Sequence, residues 1–153
     1  MNNPQSTAKI ARHPVHPMLV PFPIAFFTAT LACDLAFWHT ANALWATASF
    51  WLLGAGLLMG ALAGVAGLID FIGDDRIRKL KAAWRHVEGN VVMLLLQLTN
   101  LCFRAEDVTA NILYTGLGLS AISVLIMLYT GWMGWKMVYL NRVGVADQIE
   151  IIS

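Results

Sequence analysis

Apolar residues occupy this chain in long blocks separated by short polar joints. Met18 to Trp38 is apolar apart from Asp34, Trp45 to Ile69 has no charge, and Ile112 to Trp135 has none. Each block is near or above the roughly 20 residues a helix needs to cross the hydrocarbon core of a bilayer. A fourth block, Val91 to Phe103, is short by itself and reaches spanning length when the helix begins near His86 and ends near Arg104. The joints are His39 to Leu44, Gly73 to Arg85 and Ala105 to Asn111. Short joints place consecutive helices side by side and opposite in sense. The pattern therefore predicts an all-α fold, an integral membrane antiparallel four-helix bundle. Residues 1–11 are expected to be a disordered N-terminus, 12–145 the transmembrane domain and 146–153 a C-terminal tail. No segment repeats another closely enough to indicate an internal duplication.

Polar positions inside the blocks are few and patterned. In the third helix His86, Asn90, Met93, Gln97, Asn100 and Arg104 are spaced 4, 3, 4, 3, 4, which puts them on one stripe of a helix. Lipid penalises such a face, so the stripe is expected to point into the bundle. It runs about 27 Å at 1.5 Å per residue, nearly the whole hydrocarbon thickness. Interhelical hydrogen bonding is the simplest role for Asn90, Gln97 and Asn100. Gly56, Gly60 and Gly64 recur every fourth residue in the second helix, with Gly67 beyond. That spacing lets a neighbouring backbone approach closely, and alternatively leaves room for a flat cofactor.

Composition agrees with the block pattern. Of 153 residues 58% are hydrophobic and 12% charged, about half the charged fraction of a soluble domain. The net charge of +1 hides an uneven distribution. Nine of the ten Lys and Arg residues fall at the N-terminus, in the joint after the second helix, or at the C-terminus, and Arg104 alone lies elsewhere. Cytoplasmic loops are enriched in these residues, so both termini are expected in the cytoplasm. Cys33 and Cys102 form no CxxC pair, which argues against a disulfide framework or a thiolate cluster. Aromatic residues near the block ends fit an interfacial belt in contact with the lipid bilayer. Nothing resembles a phosphate-cradling loop, a nucleophile with its base, or a nucleic-acid surface.

Two groups of side chains carry candidate chemistry. Asp34 lies inside the first helix about one turn from its outer end, and an intramembrane carboxylate needs a partner. The one cation at that depth is Arg104, so an ion pair is expected. The other group is His13, His16, His86 and Asp70. In the antiparallel order all four fall at the cytoplasmic end of the bundle, with Asn90 one turn deeper. Pro14 and Pro17 prevent a regular helix through both of the first two histidines and make the leading segment stiff. Imidazole titrates near neutrality and ligates metals and haem iron.

His13-Pro-Val-His-Pro-Met-Leu-Val-Pro-Phe-Pro-Ile24, Asp34, Gly67-Leu-Ile-Asp70, His86 with Asn90, and Gly131-Trp-Met-Gly-Trp-Lys-Met-Val-Tyr139 followed by Val143-Gly-Val145 together resemble a bacterial membrane family. It is the family catalogued as domain of unknown function 2231. The resemblance spans roughly residues 12 to 145. It implies a four-helix protein of the bacterial inner membrane, often found beside redox modules. The family frequently carries a histidine where this chain has Asn141 and a glycine near Arg142.

Three functions compete. An electron-transfer protein with b-type haem would use His16 and His86 as axial ligands, His13 as an alternate, and Arg12 or Arg85 for the propionates, with redox proteins as partners. A zinc or iron site would draw on His13, His16, His86 and Asp70. An accessory subunit, alone or as a homo-oligomer, would hold no cofactor, its histidines being hydrogen-bonded at the interface.

Overall fold

In the computed structural model residues 2–145 are described; the tail expected at 146–153 lies outside them. The chain is helical nearly throughout. α1 (Val15–Leu19) leads into α2 (Pro21–Thr40), followed by α3 (Ala43–Gly73), the single turn α4 (Asp75–Arg78), α5 (Lys81–Glu106) and α6 (Leu117–Trp135). Wider π-helical turns flank α6 at Ile112–Gly116 and Lys136–Leu140. Pro17 falls inside α1, where the first turn leaves amide donors unused. Pro21 has no N–H to continue the ladder, so the α1 to α2 junction falls at Val20. α2 stops at Ala41, which takes a left-handed conformation (φ 52°) and donates its N–H to the Phe37 carbonyl at 2.8 Å. Asn42 then caps α3, its side chain accepting the Leu44 N–H.

α2 packs chiefly on α3 and α5 on α6, and the two hairpins meet through α2 with α6 and α3 with α5. α2 is thus diagonal to α5, and α3 to α6. Side-chain contacts give the sense of each pair. Asp34 bonds Ser49, Phe27 covers Gly56, and His16 reaches Ala63, so α2 and α3 run opposite ways. Asn100 bonds Ser120 while Asn90 bonds Thr130, so α5 and α6 do too. The core is layered. Phe27, Leu53, Met93 and Met127 fill mid-depth. Phe37, Ala46 and Ile112 close one end, and Phe71, Ile77 and Ala83 the other.

The outer faces are apolar: Leu58, Leu62, Val65, Leu125, Leu128 and Trp132 are all about half exposed or more. A surface like this is stable in lipid rather than water. Among the described residues three helical stretches are long and apolar enough to cross a membrane, Val15–Thr40, Ala43–Gly73 and Ile112–Leu140. α5 is not among them. Its inward stripe and its basic first turns remove the apolar excess that marks the others.

The structure differs from the sequence reading at the N-terminus. Residues 2–11, expected to be disordered, follow a hydrogen-bonded course across the basic end of the molecule. The Asp70 carboxylate accepts from the Thr7 and Ala8 amides, both at 2.7 Å, and from the Ser6 hydroxyl at 2.9 Å. Asp74 accepts the Gln5 amide at 3.0 Å, and the Pro4 carbonyl accepts the Gly144 N–H at 2.8 Å. A two-stranded hairpin, β1 (Lys9–Ile10) with β2 (His13–Pro14), then turns through Ala11 and Arg12, both at positive φ.

A histidine pair and a buried ion pair

Two polar clusters lie between the helices, separated by the Phe27, Leu53, Met93 and Met127 layer. At the end away from the basic loops, Arg104 and Asp34 are both fully buried. The guanidinium grips the carboxylate with both nitrogens, Nη1 to Oδ1 at 2.8 Å and Nη2 to Oδ2 at 2.7 Å. Ser49 donates to Oδ1 at 2.5 Å and Ser120 to Oδ2 at 2.7 Å. Arg104 Nε donates to Asn100 Oδ1 at 2.8 Å, and the Asn100 amide reaches Gln97 and Ser120, each at 3.1 Å. The ion pair expected from the sequence is present, and all four long helices contribute to its shell. Such satisfaction is required, because a buried charge without partners is strongly destabilising. Gly116 makes the fit possible: a Cβ there would stand 2.8 Å from Arg104 Nη2.

At the basic end the rings of His16 and His86 face each other across the bundle, centroids 6.0 Å apart and planes at 84°. His16 Nδ1 lies 2.8 Å from the Ala63 carbonyl oxygen, and His86 Nδ1 lies 2.8 Å from that of Thr130. A carbonyl oxygen only accepts, so each Nδ1 carries a proton, and in the neutral ring Nε2 is then the acceptor nitrogen. This is the arrangement by which metal-binding histidines are commonly fixed. Each ring is seated over a glycine one turn further along the same neighbouring helix. A Cβ on Gly67 would meet His16 at 2.9 Å, and one on Gly134 would meet His86 at 3.3 Å. Asn90 is one turn deeper, donating to the His86 carbonyl at 2.7 Å and accepting from Thr130 at 3.2 Å.

The other residues of the expected cluster are engaged elsewhere. His13 is exposed in the hairpin, its Nδ1 2.8 Å from the Ala11 carbonyl. Asp70 is occupied by the N-terminal segment. Among the described residues no three His, Cys, Asp or Glu side chains form a group that could hold a metal ion, so a four-ligand site of His13, His16, His86 and Asp70 is not assembled. The physical reason is competition: donors from Ser6, Thr7 and Ala8 converge on Asp70 Oδ1, and the hairpin carries His13 away. Along the α3 glycine row, Gly56 to Gly67, only Gly64 has open space beside it. Phe27 fills the space over Gly56, Leu94 that over Gly60, and His16 that over Gly67.

Sequence reasoning missed the partner stripe on α6. Gly116, Ser120, Ser123, Met127, Thr130 and Gly134 repeat the 4, 3, 4, 3, 4 spacing of α5 and all but Gly134 are buried. Outside the membrane blocks, two carboxylates are pulled below the usual carboxylate range. The Arg76 guanidinium hydrogen-bonds Asp74, and the Ala110 and Thr109 amides and Thr109 hydroxyl bond Asp107.

No curated protein and no solved structure matches the chain. The family described as predicted membrane protein (DUF2231) matches residues 12–147, a stretch that includes both histidines, the ion pair and every long helix. The all-helical fold, its lipid-suited outer faces and this match together make the chain a member of that membrane-protein family.

Proposed function

We propose that the protein is a four-helix antiparallel transmembrane bundle of the bacterial cytoplasmic membrane, with both termini inside, and that His16 and His86 hold the iron of a b-type haem used for electron transfer. The observation that carries this reading is the pair of imidazoles, one on α1 and one on α5, each anchored to a carbonyl oxygen through Nδ1 with the two rings facing each other. If both imidazoles held one metal through Nε2 with metal–nitrogen bonds of about 2.0 Å, their ring centres would stand roughly 6 Å apart. The 6.0 Å separation of His16 and His86 fits that requirement, and axial imidazoles are an established haem ligand set. Arg12 and Arg85, both exposed at this end, are suited to propionate carboxylates. Asn90 and Thr130 hold the helix turn that carries His86. Bound there, haem supplies one-electron chemistry, and a soluble or membrane redox protein is the expected partner. Orientation rests on the nine-to-one distribution of basic residues.

A second reading has its own support. The Nδ1 bonds already stitch α1 to α3 and α5 to α6, so the histidines serve helix packing even without a ligand. The absorption spectrum and iron content of the purified protein separate the two. The haem reading expects a Soret band and about one iron per chain, both lost in His86→Ala. A protein that is colourless and metal-free, and whose His86→Ala variant differs only in thermal stability, leaves the packing reading.

A further inference from the structure

The two halves of the molecule share most of their buried positions at constant offsets, although Cys33, Phe37, Phe71 and Ala83 are buried where Phe103, Asp107, Val138 and His13 are exposed. On α2 the buried residues Pro23, Phe27, Thr30 and Asp34 correspond, 70 residues later, to the buried Met93, Gln97, Asn100 and Arg104 of α5. On α3 the buried Ser49, Leu53, Gly56, Gly60, Ala63 and Ala66 correspond, 67 residues later, to the buried Gly116, Ser120, Ser123, Met127, Thr130 and Met133. The lipid-facing positions follow the same rule. Leu58 and Leu125 are 64% and 65% exposed, and Leu62 and Tyr129 are 48% and 47%. His16 and His86 obey the first offset, while their acceptors Ala63 and Thr130 and their glycine seats Gly67 and Gly134 obey the second. Where the halves part by one residue, at Ala46 and Ile112, the second half has its π-helical turn, the device that absorbs a single inserted residue.

We infer that the chain is two equivalent helical hairpins turned about a two-fold axis along the bundle, and that His16 and His86 form one site on that axis, to which both halves would contribute an equivalent imidazole. Equivalent positions meet across such an axis, as His16 meets His86 and Asp34 meets Arg104. The outer cluster is the same contact with its two halves diverged. Two aspartates or two arginines there would repel in the apolar interior, and one of each forms a pair. The inner cluster has kept identical residues because both supply the same group, an imidazole anchored through Nδ1. The axis is independent of the haem reading; the ligand class rests on it.

Spin labels test the axis. In full-length protein with Cys33 and Cys102 replaced by alanine, one doubly labelled variant carries labels at Leu35 and Leu125 and another at Ala105 and Leu58. These are the same pair of positions counted from opposite halves, and all four are exposed. The two mean distances are expected to agree to within half a helical turn. A difference above one turn, about 5.4 Å, overturns the axis. Titration with haem b tests the site. His16→Ala and His86→Ala are expected to weaken binding equally, and a variant that loses binding while the other retains it overturns a shared axial site. Wild-type protein that takes up no haem rejects the ligand class and leaves the distance measurement to decide the axis.

Discussion

At the scale of single residues, the Asp34–Arg104 pair governs the outer half of the interior. Both side chains are fully buried, so neither can turn to water when the other is removed. Arg104→Leu is expected to lower stability by about 3–5 kcal/mol, the cost of leaving a buried charge without its partner. Asp34→Asn added to Arg104→Leu is expected to recover part of that loss. Equilibrium unfolding in detergent measures both, and a double variant no more stable than Arg104→Leu alone would contradict the pairing. This contact was legible in the sequence because each group had one possible partner at its depth. The seating of His16 and His86 was legible only in part. Proline placement and helix order bring both rings to one end, but their acceptors are backbone carbonyls of Ala63 and Thr130, which no side-chain pattern reveals. The partners of Asp70 were not legible for a related reason: two of them are main-chain amides far away in sequence.

At the scale of elements, the stripe on α5 stands out because amides and an arginine interrupt an apolar run. Its counterpart, running from Gly116 along α6, consists of glycine, serine, threonine and methionine, which blend into a membrane helix. The N-terminal segment had no periodicity to read, since its order comes from long-range bonds to Asp70 and Asp74. That attachment has a definite pH dependence. Folding lowers the Asp74 pKa, chiefly through the hydrogen bond from Arg76. The stabilisation is therefore present above the unfolded carboxylate value of about 3.9 and is lost as pH falls through the lower folded value. Hydrogen exchange at the Gln5 amide, which donates to Asp74, reads this directly. Its protection is expected to persist through the ordinary carboxylate range and to fail only in stronger acid. Loss of protection at the ordinary range would show that Arg76 does not hold the carboxylate.

At the scale of the whole molecule, block lengths and the basic-residue bias predict four crossings although α5 is the least apolar helix. Its polar face is inside, against α6 and Asp34, and the remaining face is apolar, with Val91, Val92, Leu95, Leu98 and Phe103 exposed. Reporter fusions at Asn42 and Asp107 are expected to read external, and fusions at Lys79 and the C-terminus internal. An internal reading at Asp107 would remove the third crossing. The repeat of one hairpin by the other was invisible in the sequence because buried equivalents such as Gly56 and Ser123, or Phe27 and Gln97, share position but not chemistry. The histidines are the visible remnant, identical residues at equivalent positions with their rings facing each other. The most direct test is the ¹⁵N spectrum of histidine-labelled protein, with His16→Gln and His86→Gln supplying assignments, before and after haem b is added. Both rings are expected to carry the proton on Nδ1, and both Nε2 signals to vanish or shift with haem. Protonated Nε2 atoms, or Nε2 signals that haem leaves unchanged, would contradict a ligand pair.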